Sequence, residues 1–182
     1  MNTPKPSPAA HQCESPNCGC GDVDANAALN VVVITLSDTR TIEEDKSGNR
    51  IVELLEDVGH KIAERIVITD DAGPLRESVL AFVADDSVDA IITTGGTGIA
   101  PRDMAVDVME ELLDASLPGF GEYFRAVSIS EIGPKAMLSR ATAGRIGNTI
   151  AFALPGSTGA VTTAMNHCVL PIIRHASALA QG

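Results

Sequence analysis

A three-layer α/β sandwich around a mostly parallel sheet is the fold this sequence predicts, and three observations carry the prediction. Short apolar, β-branched runs alternate with amphipathic stretches through the first half of the chain. The segments joining them are short, as in β-α-β units with right-handed crossovers. Each apolar run also ends in acids, hydroxyls or glycines, which gathers the polar strand exits on one edge of the sheet.

The first strand is LNVVVITL (29–36), continuous rather than alternating, as expected where helices cover both faces. The polar loop SDTRTIEEDKSG leads to a helix over about residues 49–58. There Ile51, Leu54, Leu55 and Val58 share one face, and Gly59 takes the C-cap. KIAERIVIT (61–69) is the second strand, closed by Asp70 and Asp71. PLRESVLAFVADD opens a second helix with Pro74 in its first turn. VDAIITT (88–94) is the third strand and runs straight into glycines. MAVDVMEELL and GFGEYFRAVSIS read as two more helices, and TAGRI and TIAFAL as strands around a tight Gly147–Asn148 turn. From Gly156 onward the chain is mainly helical, with a break near Pro171. Residues 29–182 form one domain without internal repeats; residues 1–28 read as a flexible tail.

Composition excludes several function classes. The chain of 182 residues is large enough for a proper core, and 45% hydrophobic with 20% charged is ordinary for a soluble globular protein. No apolar stretch reaches the length of a membrane span, and the N-terminus lacks the apolar region of a secretory signal, so the expected location is the cytoplasm. A net charge of −11 argues against a nucleic-acid surface, and the absence of Trp with only one Tyr leaves no base-stacking platform. A small anionic ligand stays compatible with that charge, because amides, a few Arg side chains and a divalent cation hold such a ligand locally. His11, Cys13, Cys18 and Cys20 supply zinc-type ligands, but C-x4-C-x-C is not a standard zinc spacing; a metal-delivery or sensing tail is the weaker expectation. Cys168, in an apolar segment, reads as a small buried hydrophobe.

The chemistry concentrates at the strand exits. Ser37–Asp38 follow the first strand, Asp70–Asp71 the second, TTGGTGIAPRD the third, and LPGSTGA a later one. Glycine-rich backbone lets an anion approach amides, while carboxylates hold the metal that neutralises it. Familiar motifs fail here. No Lys follows the glycines as a Walker loop requires, and Pro101 stands where the third glycine of a dinucleotide fingerprint belongs. GSTG (156–159) does not match a nucleophile elbow.

TTGGTGIAPRD resembles the signature of the MoaB/MogA family of molybdenum-cofactor biosynthesis proteins. SDTRTIEEDKSG, PGFGEYFR (118–125), AMLSRATAG (136–144) and FALPGSTGAV (152–161) resemble further family blocks in the same order, over roughly residues 29–176. The EEDKSG, FGEYFR and LPGST wording is similar to the MoaB branch. The resemblance implies a three-layer α/β sandwich, usually assembled as a homotrimer or homohexamer. It also implies Mg²⁺-assisted adenylylation of molybdopterin: the pterin's terminal phosphate attacks the α-phosphorus of ATP and pyrophosphate leaves. A molybdenum-insertion enzyme would act downstream. The alternative is a non-catalytic molybdopterin-binding or scaffold protein of the same pathway.

By the same resemblance Asp103 and Asp70 are the functional aspartates, with Asp103 the candidate Mg²⁺ ligand. Nucleotide or pterin contacts are expected from Ser37, Asp38, Asp45, Ser47, Gly48, Thr94, Gly95, Gly96, Thr97 and Gly98. Glu122, Ser139, Arg140, Pro155, Gly156 and Ser157 are expected to add others. Plainer readings stand beside these. Asp103 precedes a helix and would serve as its N-cap, worth ~1 kcal/mol. Asp70 would be a turn residue, or Asp71 would take its place. Asp38 and Asp45 would order their loop, and Ser47–Gly48 would cap a helix as readily as bind phosphate. Ser157 is a contact rather than a nucleophile, since nothing near it in sequence resembles a base.

Overall fold

The computed structural model describes residues 27–182, so the expectations for His11, Cys13, Cys18 and Cys20 lie outside the described residues. Six strands, β1 (Asn30–Leu36), β2 (Lys61–Ile68), β3 (Ala90–Thr94), β4 (Ala115–Ser116), β5 (Thr142–Ile146) and β6 (Thr149–Leu154), pair in the order β2-β1-β3-β6-β5-β4. β2, β1, β3 and β6 are parallel; β5 runs antiparallel to β6, and β4 to β5. The helices are α1 (Lys46–Asp57), α2 (Ala72–Val83), α3 (Ala105–Leu112), α4 (Pro118–Ile132), α5 (Thr158–Ala164) and α6 (Ile173–Gln181).

The apolar runs explain the layers. Along β1, Val31 and Val33 pack with Ile51, Leu55, Phe124 and Met165 on the face covered by α1, α4, α5 and α6. Val32, Ile34 and Leu36 point the other way, toward Leu75, Val79 and Met109 of α2 and α3. A strand whose alternate side chains are both buried must be apolar throughout, and each such Val or Ile contributes about 1.5–3 kcal/mol. The sheet is thus covered on both faces, as expected of a three-layer sandwich.

Differences from the sequence expectations are local. α1 starts at Lys46, three residues before the expected start at Asn49, because the Asp45 side chain accepts from the Gly48 N–H and caps it. At its other end Val58 is half out of the core, while Gly59, at φ 85°, closes a Schellman motif: Gly59 N–H to Glu56 O and His60 N–H to Leu55 O. β4 has only two residues, and pairing with Gly144 and Arg145 is what makes them a strand. The break near Pro171 is a π-turn over Met165–Val169, with Leu170 N–H donating to Met165 O before the proline, which has no N–H to continue the ladder.

Candidate active site

The strand order reverses between β1 and β3, the point at which parallel α/β sheets hold ligands beyond their carboxyl ends. A cleft of about 620 Å³ opens there, lined by the exits of β1, β2, β3 and β6. Of the expected site residues, Ser37, Asp38, Asp70, Gly96, Thr97, Gly98, Asp103, Ser139, Pro155, Gly156 and Ser157 line it. All four exits singled out in the sequence meet in this one place.

The glycines admit the protein's own acids. A Cβ on Gly96 would stand 2.9 Å from Asp70 Oδ1, and Gly96 also holds φ 61°, where any other residue would be strained. A Cβ on Gly98 would stand 2.6 Å from Asp103 Oδ2. Asp103 is not the N-cap of α3: that position is Met104, and Asp103 Oδ2 accepts instead from the Ala100 N–H at 2.7 Å. Among the described residues, the amides of Gly96, Thr97 and Gly98 have no protein acceptor, which leaves three consecutive donors on the cleft wall.

Three carboxylates converge beside that loop. Asp70 N–H donates to Asp38 Oδ1 at 3.1 Å, and Arg102 pairs with Asp38 Oδ2. The Asp70 amide and then the Arg102 guanidinium hold the Asp38 carboxyl below its ordinary range. Asp70 goes the other way. Its Oδ1 is buried with no hydrogen-bond partner among the described residues. Burial first, then the charges of Asp38 and Asp103, push its carboxyl above the usual value. Asp71, the alternative, is exposed and does not line the cleft.

An orphaned carboxylate oxygen among like charges fits a divalent cation, and an all-oxygen set suits Mg²⁺. Among the described residues no three acids, His or Cys are grouped tightly enough to cage a metal alone. Asp70 and Asp103, both on the cleft wall, are the acids that would hold such a cation, the rest of its shell coming from outside the protein.

Other expected contacts are turned inward. Asp45 is fully buried: Oδ1 accepts from Gly48 N–H at 2.9 Å, and Oδ2 from Thr35 Oγ1 at 2.6 Å and Arg65 Nη2 at 3.2 Å. A Cβ on Gly48 would collide with that same carboxylate. Ser47 Oγ donates to Gly156 O at 2.7 Å and Thr94 Oγ1 to Pro155 O at 2.8 Å, so both tie strand exits together from below. Gly95 packs against Leu36 O, and Glu122 is exposed on α4, outside the cleft lining. The Arg140 guanidinium is spent on the glycine loop's carbonyls. These seven residues shape the cleft or stand apart from it. The sequence reading missed Arg40, which lines the cleft, and Arg102, which pairs with Asp38. Both are basic residues within quoted loops, SDTRT and IAPRD, and that was the available signal.

A parallel sheet with a ligand cleft at its switch point is the architecture of an open α/β domain, and residues 32–175 match the family described as "Probable molybdopterin binding domain". The chain belongs to this MoaB/MogA family. It is 49% identical over 144 residues to molybdenum cofactor biosynthesis protein B of Bacillus subtilis, covering 79% of this chain and 85% of the relative. A crystal structure of a molybdenum cofactor biosynthesis protein B superposes with a TM-score of 0.83 at 43% identity, over 86% of this chain and 98% of that one. The tungsten cofactor synthesizing protein MoaB of Pyrococcus furiosus superposes with a TM-score of 0.76 at 34% identity, over 85% and 98%.

Proposed function

We propose that this protein acts in molybdenum-cofactor biosynthesis by adenylylating molybdopterin with ATP. A terminal phosphate oxygen of molybdopterin attacks the α-phosphorus of ATP; the new P–O bond forms as the bond to the bridging oxygen breaks, and pyrophosphate leaves. Both reactants are anionic, so the task is positioning and charge neutralisation. The amides of Gly96, Thr97 and Gly98 donate to phosphate oxygens, and Arg40 adds a cation at the cleft mouth. Ser139, Pro155, Gly156 and Ser157 complete the cleft lining and contact the pterin. Bound at Asp70 and Asp103, Mg²⁺ supplies the positive charge that lets the two phosphates approach.

The observation that carries this reading is Asp70: a carboxylate oxygen buried without a partner, beside a glycine loop whose amides are free. Exposed apolar side chains on α4 and the turn after it (Ile129, Ile132, Met137, Leu138) provide a face for the proposed homotrimer or homohexamer. No helix among the described residues is long and apolar enough to cross a membrane. A cytoplasmic location, where ATP is at hand, completes the reading, with the adenylylated pterin passing to a metal-inserting enzyme.

The test is turnover by the full chain with molybdopterin, Mg²⁺ and ATP, followed by chromatography, with Asp103→Ala alongside. Product from the wild type and a loss of about 10²–10³-fold in the variant is expected. Tight molybdopterin binding with no product replaces the enzyme by a binding protein of the pathway.

A further inference from the structure

We infer that Arg140 is a positioning residue, which holds the glycine loop and Asp103 in their reacting geometry from outside the cleft. The inference rests on the adenylylation reading for its consequence, but not for its geometry. Arg140 N–H donates to Thr97 O at 3.0 Å, its Nε to Gly98 O at 2.9 Å, and its Nη2 to Asp103 O. The fourth bond, Nη1 to Asp107 Oδ1 at 2.7 Å, anchors the guanidinium to α3. One residue thus grips the loop at both ends and pins it to the helix that follows.

The direction of these bonds matters. In a trans peptide the C=O and the next N–H point opposite ways. Carbonyls of Thr97 and Gly98 held by Arg140 therefore turn the amides of Gly98 and Ile99 to the other side of the loop. Of these two residues Gly98 lines the cleft, as Thr97 does, while Arg140 does not. Gly96 and Gly98 carry no side chain and Ile99 is 69% exposed; the loop's other ties are Ala105 N–H to Gly96 O at 3.1 Å, the turn bonds around Asp103 and the Arg102–Asp38 ion pair, none of which holds the carbonyls of Thr97 and Gly98.

Two other roles fit less well. All three side-chain nitrogens already donate to protein, so a substrate contact would have to break the loop's support. The ion pair with Asp107 is partly exposed on both sides, 33% and 45%, and such pairs contribute little to stability. A lysine cannot replace the planar fork, which reaches three acceptors at once.

The experiment compares wild type, Arg140→Ala, Arg140→Lys and Asp107→Asn by amide hydrogen exchange and by steady-state kinetics. In Arg140→Ala, exchange of the loop's bonded amides (Ala100, Asp103, Met104 and Ala105) should rise about tenfold or more while the amides of β1 and β3 keep their protection. kcat should fall on the order of 10²-fold, more than KM for ATP changes, and millimolar guanidinium should restore part of it. Arg140→Lys should lie between, and Asp107→Asn near wild type. Unchanged loop exchange in both Arg140 variants overturns the inference, as does a rise shared equally by every strand. If Arg140→Ala fails to fold, loop exchange in Arg140→Lys decides alone. A wild type that forms no product removes the adenylylation reading, and loop exchange still determines whether Arg140 holds the loop.

Discussion

Asp45 and Asp70 make an instructive pair. Both stand beyond the strands of the same sheet edge, both have buried oxygens, and both were expected to meet the nucleotide. Asp45 receives donors from Gly48, Thr35 and Arg65, and its charge is answered within the fold. Asp70 Oδ1 receives none, and its nearest carboxylates repel it. A buried acid with its donors in place builds a loop; one left without them waits for a counter-charge from outside. Burial alone does not separate architecture from chemistry, and partner count does.

The largest effect is expected from Asp70→Asn. Adenylylation should fall on the order of 10³-fold, about 4 kcal/mol, while thermal stability at neutral pH holds or improves because a repelled charge is gone. Activity near wild type would break the contrast at its functional end. Asp45→Ala should do the reverse. Leaving Arg65 without its buried partner costs about 3–5 kcal/mol and lowers Tm by roughly 10 °C in calorimetry. The folded protein should keep turnover within about tenfold, since the loop is displaced rather than the acids. Lost turnover at an unchanged Tm would make Asp45 a ligand contact after all.

A smaller pair of effects lies in the pH dependence of stability. His60 Nδ1 accepts from Leu29 N–H at 3.1 Å at the opposite end of the sheet, and burial, then Arg174, lowers its pKa from 6.5 to about 4. Between those values the unfolded chain binds the proton and the folded chain does not, so stability falls as pH drops through the window. His60→Gln should flatten that slope in urea midpoints measured from pH 7 to 4. Asp70 should give the weakest signal and the opposite sign. Its raised pKa means the folded chain protonates first, so stability rises as pH falls from the raised value toward the ordinary 3.8. Asp70→Asn should remove this contribution; a slope that stays the same in the variant would mean Asp70 is not the repelled group.

Much of the fold was legible because its causes are local. Strands covered on both faces are continuous apolar runs, α1 shows its stripe, and Gly59 marks its end. β4 was not legible, since two residues carry no period and become a strand only by pairing with β5. In the site, Asp70, Asp103 and the glycine loop were readable from their positions at strand exits. Asp45, Ser47, Thr94 and Arg140 each turn toward a partner of the fold, and the sequence did not show it for one reason: partners 20, 109, 61 and 42 residues away along the chain fix those orientations.

By itself the sequence determined the layers, the parallel core of the sheet and the edge on which its chemistry gathers. Period and composition act over a few residues, and those features need nothing longer. Which acid would be satisfied and which left open was decided only when distant segments met. Thr35 and Arg65 close around Asp45 while Gly96 and the acids of two other exits close around Asp70. Hydrogen-bond satisfaction depends on what stands within about 3 Å in space, and chain order does not encode that distance.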